Sequence, residues 1–321
     1  MTRVLGIDGG GTHTRAVLAD GDGRVLSRAT GASINPRHHD RATLEQRLAA
    51  LTRDAAGGQG PIAAAFLGLG GVSTAADAAE VEAIAREVPA LAGARVVVDN
   101  DARAALAGGL AGRPGMVLIA GTGSACLGIA ADGQRWWCGG WEALADDAGS
   151  AYWIAIEAIR IAVRQEDGRL PRSALGDLVF RRWSLAEPRA LAERLSRPDV
   201  DRAAIASLAP EVMALATSDP QAAAVVERAV DELAQLVAVT ARRAFGGEAC
   251  ELIFTGGLAN SGPPFTPLLV ARIAQVAPAV RVVAPECPPA IGAIVEALKV
   301  LGIHPDQGCL GRLRAAAVAL P

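Results

Sequence analysis

Val4-Leu5-Gly6-Ile7-Asp8-Gly9-Gly10-Gly11-Thr12 is a short apolar run followed by an acid, three glycines and a hydroxyl. The apolar run indicates a β-strand, and the following segment, Thr14–Asp20, reads as a second strand that leads to a turn. Glycines let backbone N–H groups approach a polyanion closely, because no side chain stands in the way. The stretch therefore predicts a strand, a Gly/Thr loop and a strand, although one such loop alone is better explained as a hairpin without a ligand.

The same pattern returns 110 residues further on, in Met116-Val117-Leu118-Ile119-Ala120-Gly121-Thr122-Gly123-Ser124. In each copy an Asp-Gly turn begins ten residues after the threonine, at Asp22-Gly23 and at Asp132-Gly133. Strand, Gly/Thr loop, strand, turn and strand thus occur twice. The repeat predicts a duplicated chain with two lobes that close on one ligand, and it favours phosphate as the ligand of the loops.

Two familiar phosphate-binding motifs are excluded. A P-loop requires Gly-Lys-Ser/Thr after its glycines, and no lysine follows the glycines here. A dinucleotide-binding fingerprint opens a helix, whereas Thr14–Asp20 has the composition of a strand. The first loop is therefore expected at a hairpin and not at a helix N-terminus.

Composition narrows the class of protein. A chain of 321 residues with 51% hydrophobic residues favours two domains over one core. No stretch approaches the roughly 20 apolar residues of a membrane span, and the N-terminus lacks a cleavable leader pattern, so a cytoplasmic protein without a membrane partner is expected. A net charge of −3 without basic blocks disfavours nucleic acid. Reduced, mostly buried thiols are expected for the five cysteines, which are odd in number and form no Cys-x-x-Cys pair.

The repeat suggests an N-terminal lobe over residues 1–112 and a C-terminal lobe over residues 113–321, with a hinge near residues 112–115. A helical insertion is expected at about 150–245. Five prolines are expected to break this insertion: Pro171, Pro188, Pro198, Pro210 and Pro220. Strands that alternate with helices after each three-stranded meander predict mixed α/β lobes.

The remaining patterns predict a loop over residues 31–36, and Asp40 as the N-cap of a helix that reaches about Asp54. Ala63–Leu69 is an unbroken apolar run, which predicts a strand buried on both faces. The other predicted elements are helices at 74–88 and 102–111, strands at 94–98, 251–255 and 281–283, and a helix from Pro289.

Acids end the predicted strand at residues 96–98, where open α/β sheets place their ligands. A carboxylate there accepts a proton from a substrate hydroxyl that attacks phosphorus. The competing interpretation is an N-cap for the next helix. Asp99 fits a cap or a strand-end acid, and for Asp101 the two interpretations are equally good.

A second polar stretch runs from Gly139-Gly140-Trp141 to Asp146-Asp147 and Ser150. Its adjacent acids suit sugar hydroxyls, and they equally suit the N-terminus of a helix from Ser150. Aromatic rings pack on sugar faces, although most tryptophans are simply core residues. Three tryptophans fall within six residues in a chain with 3% aromatics: Trp136, Trp137 and Trp141.

Gly256-Gly257 follows a predicted strand and forms a third glycine turn. A turn at this place suits an adenine or ribose contact. A lone Gly-Gly pair is most often only a tight turn.

Taken together, these residues resemble the BadF/BadG/BcrA/BcrD-type ATPase family, and within it the N-acetylglucosamine kinases. The likeness runs through nearly the whole chain. Its specific parts are Asp8-Gly9-Gly10-Gly11-Thr12, Ser33-Ile34-Asn35, Asn100-Asp101-Ala102, Gly121-Thr122-Gly123-Ser124, Cys138-Gly139-Gly140-Trp141, Asp147 with Gly149-Ser150-Ala151-Tyr152-Trp153, and Thr255-Gly256-Gly257.

The resemblance implies the α/β fold of the actin, sugar-kinase and Hsp70 ATPase superfamily, with duplicated ribonuclease-H-like domains and a cleft between the lobes. It implies ATP and Mg²⁺ as cofactors, an amino sugar as the partner, and Asp101 as the catalytic base. It places Mg²⁺ at Asp8, and it is compatible with a homodimer. The implied nucleotide residues are Asp8, Gly9, Gly10, Gly11, Thr12, Gly121, Thr122, Gly123, Gly256 and Gly257, and the implied sugar residues are Asn35, Asp101, Thr122, Gly140, Trp141 and Asp147.

The chain departs from the family pattern at one point. Family members usually have Gly-Asp-Glu-Gly-Ser where this chain has Asp146-Asp147-Ala148-Gly149-Ser150. The extra carboxylate of Asp146 suits an amino sugar with a free ammonium, so glucosamine stands beside N-acetylglucosamine as a substrate.

Three functions remain in competition. The first is an ATP-dependent kinase for the 6-hydroxyl of an amino sugar. The second is an ATP-hydrolysing activator of an iron–sulfur acyl-CoA dehydratase or reductase, which needs cysteine thiolates poised at a subunit interface. The third is a sugar-sensing regulator, which the absence of a DNA-binding segment before Met1 disfavours. The combination of Asn35, Asp101 and Gly140-Trp141 favours the kinase.

Overall fold

The computed structural model describes residues 2–185 and 187–317. They form two compact units, one made of residues 2–114 with residues 284–317, the other of Gly115–Val283. The chain first passes from one unit to the other between Pro114 and Gly115, which lies within the hinge proposed from the sequence. The division differs at the C-terminus, because residues 284–317 belong to the first unit and not with the rest of 113–321.

Ten strands and thirteen helices are described. The strands are β1 (Arg3–Gly9), β2 (His13–Asp20), β3 (Val25–Ala32), β4 (Ala64–Leu69), β5 (Arg95–Asp99), β6 (Gly115–Ala120), β7 (Ser124–Ile129), β8 (Arg135–Gly139), β9 (Cys250–Thr255) and β10 (Val280–Val283). The helices are α1 (Arg41–Ala56), α2 (Ala75–Glu87), α3 (Asp101–Gly109), α4 (Glu142–Ala145), α5 (Ala151–Glu166), α6 (Ala174–Arg182), α7 (Ala190–Leu195), α8 (Arg202–Ala206), α9 (Ala209–Leu215), α10 (Pro220–Phe245), α11 (Phe265–Val276), α12 (Pro289–Val300) and α13 (Gln307–Ala317).

The first unit is built on a five-stranded sheet in the order β3-β2-β1-β4-β5. β1, β2 and β3 form the expected antiparallel meander, while β1, β4 and β5 run parallel. Gly9 pairs with Leu69, and Gly68 pairs with Asp99. The carboxyl ends of the three parallel strands therefore meet at one edge of the sheet.

Both faces of this sheet are covered by helices. Leu5 and Ile7 of β1 point into a core shared with residues of α1 and α2, while Val4 and Phe66 point into a second core shared with α12. This double burial explains why Ala64–Leu69 reads as an uninterrupted apolar run.

Two glycines allow α12 to join the first unit. A Cβ added at Gly6 in β1 would lie 2.5 Å from the backbone nitrogen of Ile294, and one added at Gly292 would collide with the backbone of α3. α12 therefore packs directly against backbone on both sides. Sequence reasoning placed this helix in the wrong unit because the contact joins segments almost 300 residues apart.

The second unit repeats the same topology with the strand order β10-β9-β6-β7-β8. β6, β7 and β8 form the antiparallel meander, and β6, β9 and β10 run parallel. The duplication that the two Gly/Thr loops predict is therefore present in both sheets.

The helical insertion contains α5 to α10, and these helices share one apolar core with the sheet of the second unit. Pro171, Pro188 and Pro198 lie between helices, as expected for breaks. Pro210 and Pro220 do not break helices: they occupy the first turns of α9 and α10. A proline is tolerated there because the first N–H groups of a helix have no partner within it.

Two further predicted boundaries are corrected. Gly31 and Ala32, expected in a loop, complete β3 by pairing with β2. The four-residue helix α4 interrupts the polar stretch between Trp141 and Asp146, where no helix was expected. Within the described residues, no helix combines the length and apolar character needed to cross a membrane.

Candidate active site

In the first unit, polar residues follow the parallel strands at their shared carboxyl edge. Gly10–Thr12 follows β1, Gly70-Gly71 follows β4, and Asn100-Asp101 follows β5. The Gly70 N–H donates to the carbonyl of Gly9 at 2.8 Å, which joins the first two of these loops. The edge is the ligand-binding position of open α/β sheets.

Asp8 and Asp101 are electrostatically coupled at this edge. Burial and the negative charge of Asp101 raise the pKa of Asp8 to about 6, against a smaller lowering by Arg15 on the neighbouring strand. Burial also raises the pKa of Asp101, opposed by hydrogen bonds from backbone N–H groups. Two buried carboxylates with raised pKa values are typical of a site that holds a cation or moves a proton.

Gly70 marks the space in front of Asp101. A Cβ placed on Gly70 would lie 3.3 Å from Oδ2 of Asp101, 3.5 Å from the carbonyl oxygen of Gly9 and 3.8 Å from Nδ2 of Asn35. A carboxylate oxygen and an amide nitrogen thus lie near one position, which a side chain at residue 70 would crowd. The structure brings Asn35 and Asp101 together, as the sequence pattern required for both to serve one ligand.

Asn35 is held by its own segment. Its side-chain Oδ1 accepts a hydrogen bond from the N–H of Arg37 at 2.9 Å, and its N–H donates to Oγ of Ser33 at 3.2 Å. The Ser33 hydroxyl in turn donates to the carbonyl of Gly10 at 3.0 Å, which ties the segment to the first Gly/Thr loop. These bonds hold the Asn35 side chain in place, with its Nδ2 atom within 3.8 Å of the Cβ position of Gly70.

The structure separates the two interpretations of Asp101. Asn100 is the N-cap of α3, and its side chain accepts from the N–H of Ala102 at 2.9 Å. Asp99 ends β5 and pairs with Arg103 at 2.8 Å. Asp101 is therefore not the N-cap of α3, although its carboxylate accepts hydrogen bonds from backbone N–H groups at the start of this helix.

Arg103, in the first turn of α3, joins this helix to β5 and α12 through ion pairs. Besides Asp99, it contacts the buried carboxylate of Glu296 on α12 at 2.5 Å, and its guanidinium lies 5.1 Å from the centre of the Phe66 ring. Lys299 also pairs with Glu296 at 2.9 Å. A buried charge network of this kind holds α3, and with it Asp101, against α12.

In the second unit, the Gly121–Gly123 loop joins β6 to β7 and is closed by a 2.9 Å hydrogen bond from the Gly121 N–H to the Gly123 carbonyl. The Ala151 N–H donates to the carbonyl of Gly121 at 2.8 Å. The Ser124 hydroxyl donates to the carbonyl of Ala148 at 2.7 Å. Hydrogen bonds therefore join the loop to the segment that precedes α5 and to the start of this helix.

Asp147 lies in the segment that precedes α5 and is only 3% exposed. Its φ of 54° is in the left-handed region, and Oδ1 accepts from the Ser124 N–H at 3.2 Å, while Oδ2 pairs with Arg202. Burial raises the pKa of Asp147, although Ser124 and Arg202 both oppose the rise. The acid pair does not supply the side-chain cap of α5, because the N-cap of this helix is Ser150.

The tryptophans of the polar stretch are partly open to solvent. Trp141 is 72% exposed, and Trp137 is 40% exposed with its indole N–H donating to the carbonyl of Gly139 at 2.9 Å. Gly140 has a φ of 73°, and a Cβ there would lie 2.9 Å from the indole nitrogen of Trp137. An exposed aromatic ring beside a glycine turn is a surface on which a sugar ring can stack.

Gly256-Gly257 lies directly beside the second Gly/Thr loop. A Cβ on Gly121 would lie 3.5 Å from the nitrogen of Gly257, and one on Gly256, whose φ is 98°, would collide with the carbonyl of Ala120. The third glycine turn and the second loop are therefore one continuous glycine-lined surface at the carboxyl ends of β6 and β9.

The cysteines do not form part of a metal centre in the described chain. Cys126, Cys287 and Cys309 are buried free thiols, and burial raises the pKa of Cys126 to about 12. Over residues 2–185 and 187–317, no three His, Cys, Asp or Glu side chains are grouped to hold a metal ion.

The family model described as the BadF/BadG/BcrA/BcrD ATPase family matches residues 5–297. The chain belongs to this family. The match covers both Gly/Thr loops, both five-stranded sheets and α12 up to residue 297, so the resemblance seen in the motifs is confirmed over almost the whole chain.

Three relatives place the chain more closely within the family. An N-acetylmuramic acid/N-acetylglucosamine kinase of Clostridium acetobutylicum is 31% identical over 65% of this chain and 69% of its own. An N-acetyl-D-glucosamine kinase of Dictyostelium discoideum is 27% identical over 92% of this chain and 97% of its own. A solved structure from Chromobacterium violaceum, assigned as an N-acetylglucosamine kinase, has a TM-score of 0.71 at 25% identity, over 94% of this chain and 99% of its own. The predicted fold, that of the actin-like sugar kinases, is confirmed.

Sequence reasoning missed two features of the site. Gly70-Gly71 follows a buried strand, and a glycine pair at that place was a usable signal. Arg202, which reaches Asp147 from the helical insertion, had no usable signal, because nothing in the sequence links residues 55 positions apart.

Proposed function

We propose that this protein is an ATP-dependent amino-sugar kinase that transfers the γ-phosphoryl group of ATP to the 6-hydroxyl of N-acetylglucosamine. The observation that carries the proposal is the buried carboxylate of Asp101, which lies with the Asn35 amide beside Gly70 at the ligand-binding edge of its sheet. The names of the family relatives support the same reaction.

Asp101 is the general base of the proposed reaction. Its carboxylate accepts the proton of the 6-hydroxyl as that oxygen bonds to the γ-phosphorus, and the bond to the bridging oxygen breaks to release ADP. Burial makes this carboxylate a stronger base than an exposed aspartate. A positioned base contributes about 10²–10⁴-fold to such a step.

Asp8 and the first Gly/Thr loop are assigned to the metal and the phosphates. Mg²⁺ prefers carboxylate oxygens, and it is usually held by one or two of them together with phosphates and water. The carboxylates of Asp8 and Asp101 fit such a site, because burial and the charge of Asp101 raise the pKa of Asp8 and a cation relieves that cost. When bound, Mg²⁺ neutralises charge on the phosphates; Gly9, Gly10, Gly11 and Thr12 supply backbone N–H and hydroxyl donors.

In the second unit, Gly121, Thr122 and Gly123 are assigned to phosphate, and Gly256 and Gly257 to the adenosine end of ATP. The support is their continuous surface, which has no side chain at the glycines. The contacts of this unit with the sugar are assigned to Thr122, Gly140, Trp141 and Asp147. Trp141 supports this assignment through its exposed ring.

The relatives named for N-acetylglucosamine favour that sugar over glucosamine. The Oδ1 atom of Asp146 accepts a hydrogen bond from the N–H of Ala148 at 3.2 Å, so this oxygen serves the turn before α5. If Asp146 instead binds an ammonium, Asp146→Gly will shift the ratio of kcat/KM values toward N-acetylglucosamine. An unchanged ratio removes the role for Asp146 in selecting glucosamine.

The thiols fit the activator of an iron–sulfur enzyme poorly. Such a protein needs thiolates that reach a cluster, whereas Cys126 is buried, Cys138 and Cys250 are partly buried, and burial raises the pKa of all three thiols. The kinase relatives favour the sugar kinase as well.

The test is ADP release from Mg-ATP with a panel of free sugars, with Asp101→Asn beside the wild type. Asp54→Asn is the matched control, because this exposed aspartate of α1 lies in the same unit and pairs only with the exposed Arg53 in the described contacts. We expect turnover with N-acetylglucosamine that falls by at least about 100-fold in Asp101→Asn and is unchanged in Asp54→Asn. ATP hydrolysis indifferent to every sugar, and unaffected by Asp101→Asn, would contradict the proposal.

A further inference from the structure

Arg202 lies in the helical insertion, and its guanidinium contacts the proposed phosphate loop Gly121–Gly123. It is the first residue of α8, and its guanidinium contacts two of the three carboxylates of the polar stretch before α5, those of Glu142 and Asp147. The same group lies 5.7 Å from the centre of the Tyr152 ring. Its side chain is 33% exposed, so most of it is enclosed by these partners.

Arg202 also reaches the loop backbone. Its Nη2 atom donates to the carbonyl oxygen of Thr122 at 3.4 Å, a long hydrogen bond. In a trans peptide the C=O of one residue and the N–H of the next point in opposite directions. A Thr122 carbonyl turned toward Arg202 therefore turns the N–H of Gly123 away from it, to the opposite side of the loop.

Gly123 shows how closely this cation is fitted to the loop. A Cβ on Gly123 would lie 2.8 Å from Nη2 of Arg202 and 3.1 Å from Oδ2 of Asp147. The absence of a side chain at Gly123 therefore leaves room for the Arg202 guanidinium and the Asp147 carboxylate to pair next to the loop. Asp147 in turn holds the N–H of Ser124, the next residue of the loop.

We propose that Arg202 is a positioning residue for nucleotide binding: it fixes the peptide between Thr122 and Gly123 so that the Gly123 N–H faces a phosphate. This inference rests on the proposed function for the role of the loop, but it concerns nucleotide affinity and not the choice of sugar. Backbone N–H groups bind phosphate only when the loop holds them in one orientation. The guanidinium supplies that constraint through Asp147 and Thr122 together.

The test is the affinity for Mg-ADP, measured by titration calorimetry, in wild type, Arg202→Met and Arg202→Lys. Arg197→Met is the control, because Arg197 belongs to the same insertion and makes a solvent-exposed pair with Asp199 at 3.6 Å. We expect Mg-ADP to bind about tenfold more weakly to Arg202→Met. Arg202→Lys, which keeps the charge but not the planar fork, falls between the two, and Arg197→Met binds as the wild type does.

A double variant separates positioning from charge compensation. Arg202→Met leaves Asp147 buried without its cation, so the melting temperature falls. Adding Asp147→Asn removes that unpaired charge and restores the melting temperature, while Mg-ADP affinity stays weak because the Thr122 carbonyl has still lost its donor. Recovery of full affinity in the double variant would overturn the inference and reduce Arg202 to a counter-ion.

The two proposals can fail separately. A wild type that binds Mg-ADP but phosphorylates no sugar would refute the proposed function and leave the Arg202 measurement intact. Wild-type Mg-ADP affinity in Arg202→Met would refute the inference and leave the kinase intact. A wild type that binds no nucleotide would overturn both.

Discussion

Asp8→Asn should stabilise the first unit while it abolishes activity. In the folded protein, burial and the charge of Asp101 raise the pKa of Asp8 from 3.8 to about 6. Each pKa unit of difference between folded and unfolded states is worth about 1.4 kcal/mol. The ionised Asp8 therefore costs up to about 3 kcal/mol of stability, which partial exposure reduces to about 1–3 kcal/mol.

The sign of the pH dependence follows from the raised pKa. Between pH 4 and about 6 the folded state binds more protons at Asp8 than the unfolded state does. The wild-type free energy of unfolding consequently falls as the pH rises through this range, and the loss is complete above the folded pKa. The asparagine cannot ionise, so the gain from Asp8→Asn is near zero at about pH 4 and reaches its full value at pH 7.

The assay must report on the first unit alone, since a chain of two units need not unfold in one two-state step. All five tryptophans and the single tyrosine lie between residues 136 and 183, in the second unit. Fluorescence therefore follows the second unit, and hydrogen exchange of peptides from β1 and β4 follows the first. The measurements are made without Mg²⁺ or nucleotide, because a bound cation would remove the charge cost of Asp8.

Asp54→Asn again serves as the control, with an expected change within about 0.5 kcal/mol for an exposed surface position. Slower exchange in β1 and β4 at pH 7 but not at pH 4, with unchanged fluorescence melting, would support the reasoning. A gain of the same size at both pH values would refute it, since the effect would then come from packing and not from charge.

Three further substitutions test how the site is supported. Gly6→Ala puts a methyl group against the backbone of α12 and should lower the free energy of unfolding of the first unit by about 1–3 kcal/mol in denaturant titrations. Arg103→Met removes one of the two cations paired with the buried Glu296, the other being Lys299, and should cost about 1–3 kcal/mol, measured in the same way. Gly256→Ala, at a φ of 98° and against a carbonyl, should destabilise the second unit, seen as a lower fluorescence melting temperature, whereas Gly257→Ala should leave that temperature unchanged and weaken only Mg-ADP binding.

Each of these has a control in the chain. Gly311→Ala in α13 meets no atom within 4 Å and should stabilise by roughly 0.5–1 kcal/mol through helix propensity. Arg86→Met removes an exposed pair with Glu82 and should cost less than about 1 kcal/mol. Equal losses for buried and exposed changes would show that the crowding and burial seen in the structure do not govern stability.

Helix and strand boundaries were predicted well where the residues that set them lie next to them in the sequence. Asp40 caps α1 through a 2.8 Å hydrogen bond from the Thr43 N–H, and Gly57 ends that helix in the left-handed region. Both signals lie within a few residues of the boundary that they set. The two Gly/Thr hairpins were predictable for the same reason, and their repetition also predicted the matched topology of the two sheets.

Predictions failed where a residue type has two local uses. Proline breaks a helix in its interior but suits its first turn, so Pro210 and Pro220 were assigned as breaks although they begin helices. The acids after β5 had a similar ambiguity, and the neighbouring Asn100 proved to be the cap. The choice depends on where the surrounding apolar residues find a core, which no local pattern contains.

The sequence by itself determined the family, the two phosphate-type loops, the duplicated α/β plan and most candidate site residues, because each is written in a short run of adjacent residues. Only the tertiary structure decided that α12 completes the first unit, that burial raises the pKa of Asp101, and that Arg202 meets Asp147 beneath the second loop. These features depend on contacts between residues separated by 55 positions, as for Asp147 and Arg202, up to 288 positions, as for Gly6 and Ile294. Burial and charge pairing at such distances exist only once the chain has folded.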